Sequence, residues 1–289
     1  MGFLFGLSTA FAWGTSDFLA RYATRKIGTF RALFYMQLWG LLLLTFFQWR
    51  FHNWGHLFDG SGWRPWAWGF LAGAFNSVAM LAFYRCLEVG KISVVAPLSA
   101  SYPALTLALS ALTGERLTPV RLCGMACTMI GVLLVARGEP STGDSSTDAN
   151  LARRGILWAL CASVAFGFLF WILGIRVLSV TGYSATVWII RLTGAITTFS
   201  ILLSKRLPLA QPRGAANWQT AFMGLLDTGA FVLSNRGMQL EQVSIVTVLS
   251  SLYGAVTVLL AAILLRERVA PLQWLGILAI FAGIVLIGR

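Results

Sequence analysis

Charge is scarce in this chain: only 11% of its 289 residues are Asp, Glu, Lys or Arg, and ten are acidic. That scarcity excludes a soluble domain, whose surface needs more charge to be wetted. Histidine occurs twice and cysteine four times. Cys86, Cys123, Cys127 and Cys161 all fall within or at the ends of apolar runs. Cys123 and Cys127 share a helix face, but no His or acidic residue accompanies them, so they read as packing residues and neither metal nor cofactor is expected. His52 and His56 stand in a loop beside Trp49, Trp54, Trp63, Trp66 and Trp68 and read as part of an interfacial aromatic belt. No histidine lies in an apolar run and no two carboxylates are spaced on one face, which leaves no candidate for catalysis. Long polar stretches are missing as well, so no sizeable water-soluble domain is left over.

What the chain has instead is apolar length. It is 57% hydrophobic with a mean hydropathy of +0.76. Ten runs of about 20 apolar residues, each long enough to cross a bilayer, fall near 2 to 21, 30 to 49, 66 to 87, 92 to 112, 120 to 136, 155 to 175, 183 to 204, 217 to 238, 243 to 264 and 271 to 288. In lipid the backbone must satisfy its own hydrogen bonds, and these runs are too long and too uniform for barrel strands, so they predict helices. The first run lacks a basic leader and a clear cleavage site, and is expected to be kept as a span. The net charge of +12 is spread singly over short loops with no basic patch, which argues against a nucleic-acid partner. Loops after odd-numbered runs hold 14 Lys and Arg, even-numbered loops and termini 7. By the positive-inside rule this places the odd loops in the cytoplasm and both ends outside.

The chain repeats itself. At an offset of 151, Arg85, Ser93, Val95, Leu98, Ser99, Tyr102, Ala104 and Thr106 meet Arg236, Ser244, Val246, Leu249, Ser250, Tyr253, Ala255 and Thr257. One residue further on, Glu115, Arg116, Pro119, Gly124 and Gly131 meet Glu267, Arg268, Pro271, Gly276 and Gly283. Earlier, Gly2, Leu4, Leu7, Ala12 and Gly14 meet Gly155, Leu157, Leu160, Ala165 and Gly167. The expected organisation is a first five-helix repeat over 1–137, a polar linker over 138–154, and a second repeat over 155–289. Five is odd, so the copies must cross the membrane in opposite senses, as an inverted repeat. The fold class is therefore an all-α polytopic membrane protein of ten transmembrane helices. Such a duplication permits two nearly equal conformations, one open to each side; it can also simply build a large stable bundle.

With these residues in hand, the chain resembles the drug/metabolite transporter superfamily, specifically its EamA-type ten-helix members. The likeness rests on Trp13-Gly14, "SVVAPLSASYP", "GERLTP" and "GMACTMIG" in the first half, and on "FG", "SIVTVLSSLYG", "RERVAP" and "GILAIFAG" in the second. The resemblance implies a transporter, more often of export than uptake, with amino acids or related metabolites as a common substrate class. Relatives in the small multidrug resistance branch carry a glutamate where this chain has Phe11 and Val164, so their proton-driven antiport through that carboxylate is not inherited. Several ten-helix relatives keep both termini in the cytoplasm, opposite to the charge tally.

Pro97 and Pro103 remove helix hydrogen bonds in the fourth run, and Gly254 takes the place of Pro103 in the ninth; these breaks, beside Tyr102 and Tyr253, either mark a cavity or are plain packing kinks. Ionisable residues inside a membrane mark function, and three lie clearly within runs: Asp17, Arg191 and Asp227. Asp227 matches Asn76, and Arg191 matches Gln37. Asp227 and Arg191 either form a permanent ion pair or meet the substrate. Asp17 either shares a face with Trp13, cradling a cation, or sits near the surface beside Arg21. Trp188, three residues before Arg191, is expected on nearly the same face, and Trp171 deep in the membrane. Glu115 and Glu267 read as helix-end salt bridges.

An aromatic-walled cavity with charges of each sign suits a small amphipathic or zwitterionic, amino-acid-like solute. The functional expectation is a secondary transporter of the bacterial inner (plasma) membrane working by alternating access, with export and proton coupling through Asp17 or Asp227 as finer expectations. Its partners are then the small-molecule substrate and the lipid bilayer, in a monomer or weak homodimer. The alternatives are a lipid-linked precursor flippase of the same fold, a membrane-embedded transferase, and a helical interaction protein without transport.

Overall fold

A computed structural model describes residues 2–114, 118–137, 146–210, 214–240, 243–266 and 269–287. Glu115 and Glu267, and residues 138–145 of the linker, lie outside the described residues. Helices follow the apolar runs: α1 (Gly2–Ile27), α2 (Thr29–Phe51), α3 (Arg64–Val89), the broken pair α4 (Ile92–Ser99) and α5 (Tyr102–Leu112), and α6 (Pro119–Arg137). The second half repeats this order. It has α7 (Ser146–Ile172), which continues through a π turn into α8 (Leu178–Thr181), then α9 (Tyr183–Ser204) and α10 (Ala215–Leu240). The broken pair α11 (Val243–Ser251) and α12 (Tyr253–Leu260) follows, and α13 (Pro271–Ile287) closes the chain. No strand occurs among the described residues. Two features depart from the sequence reading. Helix α7 reaches back to Ser146, into the polar stretch between the halves, and π turns at Leu173–Val177 and Ala261–Leu265 fall in the second half.

Among the described residues, six helices suffice by length and composition to cross a membrane: Thr29–Phe51, Arg64–Val89, Ile92–Leu112, Asn150–Thr181, Tyr183–Ser204 and Val246–Leu265. Pro119–Leu134 and Pro271–Ile287 are shorter apolar helices. The other two, α1 and α10, are the more polar ones, and their polar residues turn inward: Thr9, Ser16 and Asp17 on α1, and Thr220, Asp227, Thr228, Ser234 and Asn235 on α10, are all buried. For some of them an interhelical hydrogen bond takes the place of water. Thr9 Oγ1 donates to the Ala230 carbonyl at 3.2 Å and Ser16 Oγ to that of Met223 at 3.4 Å.

The halves interlock by exchanging equivalent contacts. Helix α1 packs on α10 as α3 packs on α7. Thr257 Oγ1 donates to the Gly14 carbonyl at 3.3 Å, and its repeat partner Thr106 donates to that of Gly167 at 3.2 Å. Helices α6 and α13 run antiparallel: a Cβ on Gly124 would lie 2.7 Å from the Gly283 carbonyl oxygen, and one on Gly131 2.6 Å from that of Gly276. Since Gly124 corresponds to Gly276 and Gly131 to Gly283, each glycine faces the equivalent of the other. The same exchange occurs where α2 crosses α9, with Gly40 on Arg191 and Gly194 on Gln37. These reciprocal crossings are the mark of a pseudo-two-fold axis perpendicular to the helices, so the repeat is inverted. Gly283→Ala is expected to push α6 and α13 apart, at about 1–3 kcal/mol, read as a lowered thermal unfolding midpoint in detergent.

The loop between α2 and α3 is structured. His56 Nδ1 pairs with Asp59 Oδ2 at 2.6 Å, and the Ser61 amide donates to Asp59 Oδ1 at 3.0 Å. Hydrogen bonds from Ser61, then from His56, hold the Asp59 carboxyl down to about 2.

Candidate functional site

The two broken helices decide where the site lies. Pro97 sits inside α4 and Pro103 in the first turn of α5, and neither supplies an N–H to the turn before it. Small hydroxyls take up carbonyls freed near the breaks: Ser101 Oγ donates to Leu98 O and Ser251 Oγ to Val248 O, both at 2.7 Å. The breaks face each other because Gly254 has no side chain; a Cβ there would lie 2.9 Å from that of Ala100. Tyr102 and Tyr253, each opening the second segment of its broken helix, thus arrive at one hollow from opposite halves.

That hollow has about 430 Å³ of empty volume and is lined by Trp13 and Asp17 of α1, Asn76, Met80 and Phe83 of α3, Tyr102 of α5, Phe166, Leu169 and Phe170 of α7, Asp227 and Phe231 of α10, and Tyr253 of α12. Ten of these twelve residues form five repeat pairs: Trp13 with Phe166, Asp17 with Phe170, Asn76 with Asp227, Met80 with Phe231, and Tyr102 with Tyr253. Most of the wall is aromatic and locked by ring contacts. Trp13 meets Phe231, Phe170 and Tyr253 edge-on at centroid distances of 5.7, 6.0 and 6.1 Å, and Tyr102 stacks on Phe170 at 4.7 Å. Such contacts hold the rings in place, so the cavity is shaped before a ligand enters.

Charge enters this apolar wall at two places. Asp17 lines the cavity, and no hydrogen bond or ion pair joins it to a described residue. Arg21, one turn on, turns instead to the end of α3, where Nη1 donates to the carbonyls of Leu87 and Gly90. Asp227 also lines the cavity but forms an ion pair with Arg191 Nη2. Arg191 is wholly buried behind the wall; its Nη1 donates to Gln37 Oε1 at 2.8 Å, and its guanidinium lies 5.8 Å from the centre of the Phe231 ring. Two neutral donors complete the site: Asn76 Nδ2 and the Tyr102 hydroxyl are buried without a partner among the described residues.

Of the residues marked in the sequence, Trp13, Asp17, Asn76, Tyr102, Asp227 and Tyr253 come together around the cavity. Gln37 and Arg191 stand behind its wall. Trp188 lies elsewhere: its Nε1 donates to Thr45 Oγ1 at 2.9 Å, and its ring packs on Trp54 and Trp66. It shares a broad face with Arg191, but the short indole meets the α2–α3 loop while the long guanidinium reaches across to α10. Trp171 lies beside the end of α5, with Nε1 3.5 Å from Thr113 Oγ1. Six lining residues, Met80, Phe83, Phe166, Leu169, Phe170 and Phe231, are not among the marked ones. Projecting Trp13, Asp17 and Asn76 through the repeat, and taking the i+4 neighbours of Asn76 and Asp227, finds Phe166, Phe170, Met80 and Phe231 but not Phe83 or Leu169.

An inverted-repeat membrane bundle with a polar, aromatic-walled hollow between its halves belongs to the class of membrane transporters. Residues 1–137 and 153–289 each match the EamA-like transporter family, and the chain belongs to that family, whose members are transporters and not enzymes. A solved structure described only as the crystal structure of a protein is similar in fold, with a TM-score of 0.69 and 18% identity over 99% of this chain and 95% of the other. No curated protein matches.

Proposed function

We propose that the protein carries a small amphipathic solute bearing an ammonium group, amino-acid-like in size, by alternating access across the bacterial inner membrane, in the direction of export. The observation that carries this reading is Asp17: a carboxylate with no cation beside it, in an aromatic wall beside Trp13, where an isolated charge is costly. An ammonium supplies both the missing ion pair and a cation–π partner for the indole. The two unpaired donors, Asn76 Nδ2 and the Tyr102 hydroxyl, then meet an acceptor at the solute's other end, a carboxylate or carbonyl. Asp227 is already neutralised by Arg191, which leaves Asp17 as the group to bind either the solute or a proton. Exchange of these two on one carboxylate would couple solute movement to a proton gradient.

In proteoliposomes, counterflow is expected for amino acids with a free amino group and not for their N-acetyl derivatives. Tyr102→Phe is expected to leave thermal stability unchanged, since the hydroxyl has no partner among the described residues. It should weaken solute binding by roughly 0.5–1.5 kcal/mol, the net value of one hydrogen bond. Equal counterflow of the acetylated solutes would overturn the reading.

A further inference from the structure

A second site lies on the outer surface, away from the central cavity. Helices α3 and α7, one from each half, approach closely at Gly90 and Gly155, where the glycine Cα of one would lie 2.7 Å from a Cβ on the other. Beside this contact the larger side chains part and leave a groove of about 830 Å³. Its floor is apolar, with Val89, Leu157, Trp158 and Cys161, and its rim carries Arg85 and Arg154. Arg85 is tied to Glu88, while Arg154 forms no hydrogen bond or ion pair with a described residue. The groove shares no lining residue with the central cavity.

Its position gives the charge meaning. The end of α3, the start of α7, the end of α1, the start of α2 and the end of α9 share one membrane face. Arg21 bonds to Leu87 and Gly90, and Arg31 to the Ala210 carbonyl at 2.6 Å. That face collects Arg25, Lys26, Lys91, Arg153, Lys205 and Arg206 as well. The counterpart of Arg85 on the opposite face, Arg236, is instead folded over the Tyr183 ring at 5.2 Å and bonded to Gln239. The basic groove lies on the face that the charge excess assigns to the cytoplasm, whose leaflet is anionic.

We propose that this groove binds an anionic phospholipid, its phosphate held by Arg154 and Arg85 and its acyl chains laid over Leu157 and Trp158. A lipid fits because the site pairs cations at the membrane boundary with an exposed apolar floor, Leu157 being 62% and Trp158 42% exposed. A free phosphate would leave that floor uncovered. Because the groove spans the contact between the halves, the bound lipid touches both of them.

Native mass spectrometry of the protein released from nanodiscs of equal phosphatidylglycerol and phosphatidylcholine tests this. Wild type is expected to retain phosphatidylglycerol preferentially, and Arg85→Gln with Arg154→Gln to lose that preference, roughly five-fold for each arginine. The double lysine variant, Arg85→Lys with Arg154→Lys, should keep most of it, and Arg50→Gln in the last turn of α2 should change nothing. Equal retention of the two lipids by wild type would overturn the proposal, even if the glutamine variant does not fold. So would full preference in a folded glutamine variant, or displacement of the lipid by millimolar inorganic phosphate.

Discussion

Asp227→Asn is expected to destabilise the protein by about 3–5 kcal/mol, the usual cost of leaving one partner of a buried ion pair without the other. Arg191 is wholly buried, and its remaining contacts are Gln37 Oε1, the Met36 sulfur and the Phe231 ring, none of them anionic. Its Nε already lacks a partner among the described residues, so little is left to absorb the loss. Arg191→Gln alone leaves Asp227 uncompensated and is expected to cost less, because Asp227 borders the cavity. The decisive variant is the double one. Arg191→Gln with Asp227→Asn installs in the second half the Gln and Asn that the first half carries at Gln37 and Asn76. It should be more stable than Asp227→Asn, because no buried charge remains to be paired. Thermal unfolding of the three variants in one detergent reads this as a recovery of the midpoint in the double variant. A double variant as unstable as Asp227→Asn would show that the ion pair is not what holds α9 to α10.

Asp17→Asn is expected to do the opposite: little to stability and much to binding. The two side chains are nearly the same size, and no described residue loses an ion-pair partner. An ammonium ligand, however, loses a charge-assisted hydrogen bond, worth roughly 1.5–3 kcal/mol or about ten- to a hundred-fold in affinity. Binding measured by thermal shift against a panel of amino acids, amines and organic acids should fall selectively for the ammonium-bearing ligands. Flux through Asp17→Asn should also become insensitive to an imposed pH gradient. Unchanged affinity together with unchanged pH sensitivity would remove Asp17 from the site.

Comparing the two acidic residues shows why sequence position alone did not rank them. Asp17 and Asp227 are both single carboxylates inside apolar helices. Only the packing of α9 against α2 and α10 brings Arg191 to Asp227 and leaves Asp17 facing the hollow. Trp188 makes the same point from the other side. Three residues separate it from Arg191, yet a short rigid ring and a long flexible cation leave the same helix face for different neighbours.

The cavity aromatics were legible in principle. Phe166 and Phe170 occupy the second-half positions of Trp13 and Asp17, and the inverted repeat requires that both members of such a pair approach the axis. The π turns at Leu173–Val177 and Ala261–Leu265 have no sequence signal of this kind, since neither falls at a position equivalent to the other in the repeat.

The order of apolar runs, the internal repeat and its odd span number determined by themselves that the chain is helical, membrane-embedded and folded back on itself upside down. Those properties follow from local chemistry: hydrophobic length, backbone satisfaction and the parity of crossings need no knowledge of neighbours. Tertiary structure alone decided which polar side chains share a space. Contacts between α1, α3, α7 and α10 depend on interhelical distance and rotation, which a one-dimensional spacing does not encode.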